Sequence, residues 1–72
     1  MKVRCTKDNE GYWTVGEVYR ATPVAGGFVE IPDDDDPEAE WSLMPTSYED
    51  DENNTATYQA TGLDAEFKEV KE

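Results

Sequence analysis

Carboxylates dominate the side chains that could do chemistry. Asp33 to Asp36 stand together between Pro32 and Pro37, with Glu38 and Glu40 just after, and a second run reads Glu49-Asp50-Asp51-Glu52. Clustered carboxylate oxygens can hold a hard cation such as calcium. In EF-hand register, however, neither the glycine at the sixth loop position nor the glutamate at the twelfth is present. A solvated acidic turn is the expected state of the first run. Rows of carboxylates can also imitate a phosphate track for a protein that grips nucleic acid through lysine and arginine. Pairs of acids for proton transfer occur throughout the chain, so none is singled out.

Other reactive groups are scarce. There is no histidine, which excludes imidazole bases, His-based triads and Cys/His zinc sites. Cys5 is the only cysteine. It cannot form an intramolecular disulfide, it lacks an activating imidazole, and its place beside Val3 in an alternating stretch reads as core. A catalytic pocket of several hundred Å³ has little room in 72 residues. The expectation is a protein that is not an enzyme and takes no cofactor or metal.

Charge is the strongest compositional feature. Six basic residues face eighteen acidic ones, a formal net charge of −12. From Glu30 to Glu52 there are eleven acids and no base, so the charge gathers in mid-chain as one acidic face or rim. Such a chain repels nucleic-acid phosphates and anionic membranes, and it attracts proteins with basic surfaces. The same charge also serves solubility. With one cysteine, no apolar leader and no spanning segment, a cytoplasmic location is expected. Asn53-Asn54-Thr55 matches a glycosylation acceptor and is expected to stay unmodified in that compartment.

The elements that must position these groups read as short strands. Lys2 to Thr6 alternates, with Val3 and Cys5 inward. Lys7 to Gly11 is turn chemistry. Tyr12 to Val15 favours extended backbone, Gly16 interrupts, and Glu17 to Thr22 reads as a strand. Pro23 to Gly27 is a hairpin loop, Phe28 to Ile31 a strand, and Pro32 to Pro37 a turn. Ala39 to Met44 forms a strand that ends at Pro45. Thr46 to Asn54 reads as a mobile acidic loop, and Thr55 to Thr61 has β propensity. Gly62 to Asp64 turns the chain. Ala65 to Val70 fits either a helical turn or a closing strand. The whole is one all-β domain, a meander or small barrel, with a core of Val3, Cys5, Val15, Val18, Val29, Ile31, Trp41, Leu43, Phe67 and Val70.

The order Lys2-Val3-Arg4-Cys5, Asn9 to Gly11, Thr14-Val15-Gly16-Glu17-Val18-Tyr19, Phe28-Val29-Glu30-Ile31, the Asp run and Trp41 resembles a group of small proteins encoded in bacteriophage and prophage genomes. Their pattern has a Val-x-Cys start, a TVGKVY-like hairpin, an I-x-D-D-x-G turn, an aromatic and a closing Phe. The resemblance covers Lys2 to Leu43 and extends to Phe67–Val70 as the closing strand. It implies a small Src-homology-3-like (SH3-like) barrel, mostly without assigned activity, acting as an accessory protein inside a bacterium. Two departures stand out: the turn Asp33 to Asp36 has no glycine, and Pro45 to Glu66 looks like an insertion.

Tyr12, Trp13, Tyr19, Trp41, Tyr48 and Tyr58 add binding potential, since Tyr and Trp are enriched at interface hot spots. Trp41 and Tyr19 read mainly as core, Trp13 equally as core or surface, and Tyr48 as an exposed anchor. The expected function is a binding module that docks an acidic, aromatic-bearing face on a basic surface of another protein. Its expected contacts are Asp33, Asp34, Asp35, Asp36, Glu38, Glu40, Tyr48, Glu49, Asp50, Asp51 and Glu52. Two alternatives are a nucleic-acid mimic that blocks a host defence or DNA-processing protein, and a small structural or virion-associated protein.

Overall fold

The alternation in the sequence becomes seven strands in a computed structural model, which describes residues 1–48 and 56–70 apart from the side chains of 47 and 48. β1 (Lys2–Asp8) turns Val3 and Cys5 inward and Lys2, Arg4 and Thr6 outward, as the two-residue period of a strand requires. β2 (Val18–Arg20) and β3 (Thr22–Pro23) are two halves of one extended run broken at Ala21. A 3-10 turn at Ala25–Gly27 leads to β4 (Val29–Ile31). Gly26 and Gly27 sit there at φ of 80° and 82°, a region that favours glycine. β5 (Trp41–Tyr48), β6 (Ala56–Ala60) and β7 (Ala65–Val70) complete the sheet.

Every pairing is antiparallel, in the order β2-β1-β7-β6-β5-β4-β3. The order begins and ends with the two halves of the broken run, so the sheet curls into a nearly closed barrel. Curling hides edges that a flat sheet would offer to other chains. The architecture is all-β and fits a small SH3-like barrel. No helix among the described residues is long and apolar enough to cross a membrane.

Phe67, Ile31, Leu43, Val3 and Cys5 are the largest fully buried side chains. Two residues expected in the core are on the surface: Val15 is 57% exposed and Val18 39%. In β2 the inward row belongs to Tyr19 and Ala21, and a shift of one residue turns every side chain to the other face. Val15 lies in the loop between β1 and β2, where no ladder gives it an inward side. Trp41 and Val70 are only partly buried. Tyr19 and Trp13 are in the core, and Ala21, Ala56, Tyr58, Ala60 and Ala65 fill it beyond the residues expected.

Some elements differ in extent from the expectation, while the closing segment keeps its bounds. Tyr12 to Val15 forms no ladder. β5 runs through Pro45 to Tyr48, because β4 covers only Trp41 to Leu43 and leaves one side of Pro45 without a neighbour that needs its missing N–H. The closing segment is a strand, with Phe67 opposite both Cys5 and Tyr58. Of the expected loop Thr46 to Asn54, β5 carries 46–48 and the rest lies outside the described residues.

Candidate functional site

The loop between β1 and β2 is organised by one carboxylate. Asp8 accepts the N–H of Glu10 at 2.8 Å, of Gly11 at 3.1 Å and of Trp13 at 3.1 Å. Trp13, inside the aromatic, β-branched stretch, thus finds its N–H partner in a side chain and not in a ladder. Gly11 holds φ at 87° with open space where a Cβ would stand, so backbone conformation, not packing, favours glycine there. A second tie fastens this loop to the turn between β6 and β7. Asn9 donates from its backbone to the Asp64 carbonyl at 3.0 Å and from its side chain to the Asp64 carboxylate at 2.6 Å. Lys7 meets the other oxygen of Asp64 at 3.0 Å.

This loop presents an aromatic group. Trp13 is buried, 4% exposed, and meets Phe67 edge-on at 5.2 Å. Trp41 stands edge-on to Trp13 at 5.6 Å, and Tyr12 stacks on Trp41 at 4.8 Å with the planes 27° apart. Tyr12 is 37% exposed and Trp41 half-buried. The outcome is a stacked Tyr–Trp pair on the surface, backed by a buried tryptophan and the core phenylalanine.

The turn after β4 is bonded to the same group. Trp13 Nε1 donates to the Pro32 carbonyl at 2.8 Å, and Trp41 Nε1 donates to Asp33 Oδ2 at 2.8 Å. Asp33 Oδ1 also accepts the N–H of Asp35 and of Asp36, which makes the turn tight. The Asp34 N–H donates to the Tyr12 carbonyl at 2.9 Å. The Asp34 carboxylate accepts the hydroxyls of Thr14 and Tyr19, each at 2.6 Å, and the Tyr19 oxygen accepts the Thr14 N–H at 2.8 Å. Those hydroxyls of Thr14 and Tyr19 hold the Asp34 carboxyl below the usual carboxylate range. Burial, then the bond to Asp34, pushes the Tyr19 phenol up to about 12.

The acidic residues therefore divide. Asp33 and Asp34 are committed to internal bonds that position the aromatics. Asp35, Asp36, Glu38 and Glu40 are exposed, with Asp36 accepting the Glu38 N–H at 2.9 Å. The Tyr48 side chain and Glu49, Asp50, Asp51 and Glu52 lie outside the described residues. Among the described residues, no three carboxylates or thiols converge as metal ligands would. The Cys5 thiol is buried, and burial raises its pKa, which disfavours the reactive thiolate.

Beside the turn, an open groove of about 350 Å³ is lined by Arg20, Thr22, Glu30, Pro32, Glu38 and Glu40. The Tyr12–Trp41 surface pair was not legible in the sequence, where Trp41 reads as core. Its only sequence signal is Tyr12 next to Trp13 in a turn-rich loop. No protein-family model, no curated protein and no solved structure matches the chain.

Proposed function

We propose that this chain is a non-enzymatic binding module that docks the Tyr12–Trp41 pair and the adjoining acidic turn on a basic surface of another protein. One observation carries the reading: a stacked aromatic pair, Tyr12 exposed and Trp41 half-buried, is fixed by the same turn that sets Asp35 and Asp36 in solvent. Carboxylates attract lysine and arginine, and an aromatic face accepts their cationic groups, at roughly 0.5–1 kcal/mol for an exposed ring. Bonds from Asp33, Asp34 and Trp13 hold the pair in place before binding, so little ordering entropy is lost on docking. The net charge of −12 steers basic partners toward it. The resemblance to phage and prophage proteins makes a protein of a bacterial host's cytoplasm the expected partner.

The concentration of eleven acids and no base between Glu30 and Glu52 favours one second reading, nucleic-acid mimicry. The two readings separate in one assay. The wild-type chain, Tyr12→Ala and the double variant Asp35→Asn/Asp36→Asn are used as bait in bacterial lysate, with and without competing DNA. The docking reading expects one protein held by the wild type, lost on Tyr12→Ala, weakened by the double variant and indifferent to DNA. Retention by Tyr12→Ala with displacement by DNA would establish mimicry instead.

A further inference from the structure

The barrel has a seam, and the groove lies along it. Ala21 N–H donates to the Met1 carbonyl at 2.8 Å, and Cys5 N–H donates to the Glu17 carbonyl at 2.9 Å. Residues 17, 19 and 21 thus turn their main chain toward β1, and the alternation of a strand turns Val18 and Arg20 the other way. On that other side the ladder with β4 pairs Pro23 with Val29 and Thr22 with Glu30. Ala21, opposite Ile31 in that register, turns its main chain to β1, so the next pair to bond would be Arg20 with Pro32. Proline has no N–H to give, and the Pro32 carbonyl already accepts Trp13 Nε1. The ladder stops there, which leaves Val18 and Arg20 without a ladder partner on that side among the described residues.

The groove adjoins that open edge at Arg20. Its floor includes Ile31 and Pro32, and three carboxylates, Glu30, Glu38 and Glu40, line it against one guanidinium, Arg20. A free strand edge is a template for one more strand, with main-chain bonds giving affinity and side-chain sites giving specificity. Charge selects the occupant. A second copy of this chain would bring a net charge of −12 to an acidic groove. An extended segment with lysine or arginine at alternate positions would set its cations on one face, toward Glu30, Glu38 and Glu40.

We propose that the seam groove receives an extended, arginine- or lysine-bearing peptide segment of a protein partner as an added strand on the open edge of β2. The proposal rests on the docking reading above and names the partner's chemistry, at a place separate from the Tyr12–Trp41 pair. The probe is a blocked Arg-Thr-Arg-Thr-Arg peptide titrated into the isotope-labelled full chain and followed by NMR. Amide shifts are expected at Arg20, Thr22, Ile31 and Ala39, with slower hydrogen exchange at Val18 and Arg20. The same peptide methylated on alternate backbone nitrogens should bind at least about tenfold more weakly, because it can no longer donate to the edge. Glu30→Gln/Glu40→Gln should lose roughly tenfold, in line with two partly exposed ion pairs, while Tyr12→Ala binds as the wild type does. Shifts confined to Tyr12 and Trp41 would overturn the groove and leave the docking face standing. Absence of shifts anywhere, or equal binding of the methylated peptide, would also overturn it.

Discussion

Replacing Tyr19 by Phe isolates the bond network that holds the aromatic pair. The ring stays in place, packed edge-on to Phe67 at 6.3 Å, and only the hydroxyl is removed. That hydroxyl donates to Asp34 at 2.6 Å and accepts the Thr14 N–H at 2.8 Å. A neutral bond is worth about 1 kcal/mol and a bond to a carboxylate somewhat more, reduced here because Asp34 faces solvent. A loss of about 2 kcal/mol follows, which for a domain this small lowers Tm by roughly 10 °C. Urea unfolding followed by tryptophan fluorescence measures it. The same hydroxyl sets an alkaline signature. The folded pKa of about 12 lies above the ordinary value of 10.0, so its stabilisation is whole below pH 10 and is lost as pH rises toward 12. Tyr19→Phe should flatten this limb of the stability profile. A variant within about 0.5 kcal/mol of wild type, with the alkaline limb unchanged, would refute the network's role.

Three further outcomes are expected. Leu43→Ala, at a side chain with no exposure, should cost about 2–5 kcal/mol and leave the domain largely unfolded at 37 °C by circular dichroism. Cys5 should react with a thiol reagent only as fast as the barrel opens, so its labelling rate should rise with urea in step with unfolding. The depressed Asp34 carboxyl stabilises the fold above the ordinary carboxylate pKa and ceases to as pH falls through its lowered folded value. Asp34→Asn should accordingly be less stable at pH 7 and lose less on acidification, read from urea midpoints across pH.

Alternation in the sequence makes much of the fold legible. Val3 and Cys5, Val29 and Ile31, and Leu43 each lie in a period-two stretch, and each is buried. The phase of β2 was not legible, because Val18 and Tyr19 both suit a strand interior and only pairing with β1 decides which turns inward. The loop from Asn9 to Glu17 defeated propensity for a different reason. Its aromatic and β-branched residues favour extended backbone, yet side chains take the N–H groups of two of them, Asp8 that of Trp13 and Tyr19 that of Thr14. The aspartate run was legible as a turn, but its division of labour was not. That Asp33 would meet Trp41, and Asp34 would meet Thr14 and Tyr19, depends on contacts eight to twenty residues apart.

Tryptophan quenching tests the docking face most directly. The chain has two tryptophans, Trp13 buried and Trp41 half-buried under Tyr12. Acrylamide quenching of the free chain should therefore report Trp41 almost alone. A partner retained by the wild type and lost on Tyr12→Ala, and itself made free of tryptophan, should shield Trp41 and abolish the quenchable fraction when bound. A partner that binds fully while quenching of Trp41 stays unchanged would contradict docking on the Tyr12–Trp41 face.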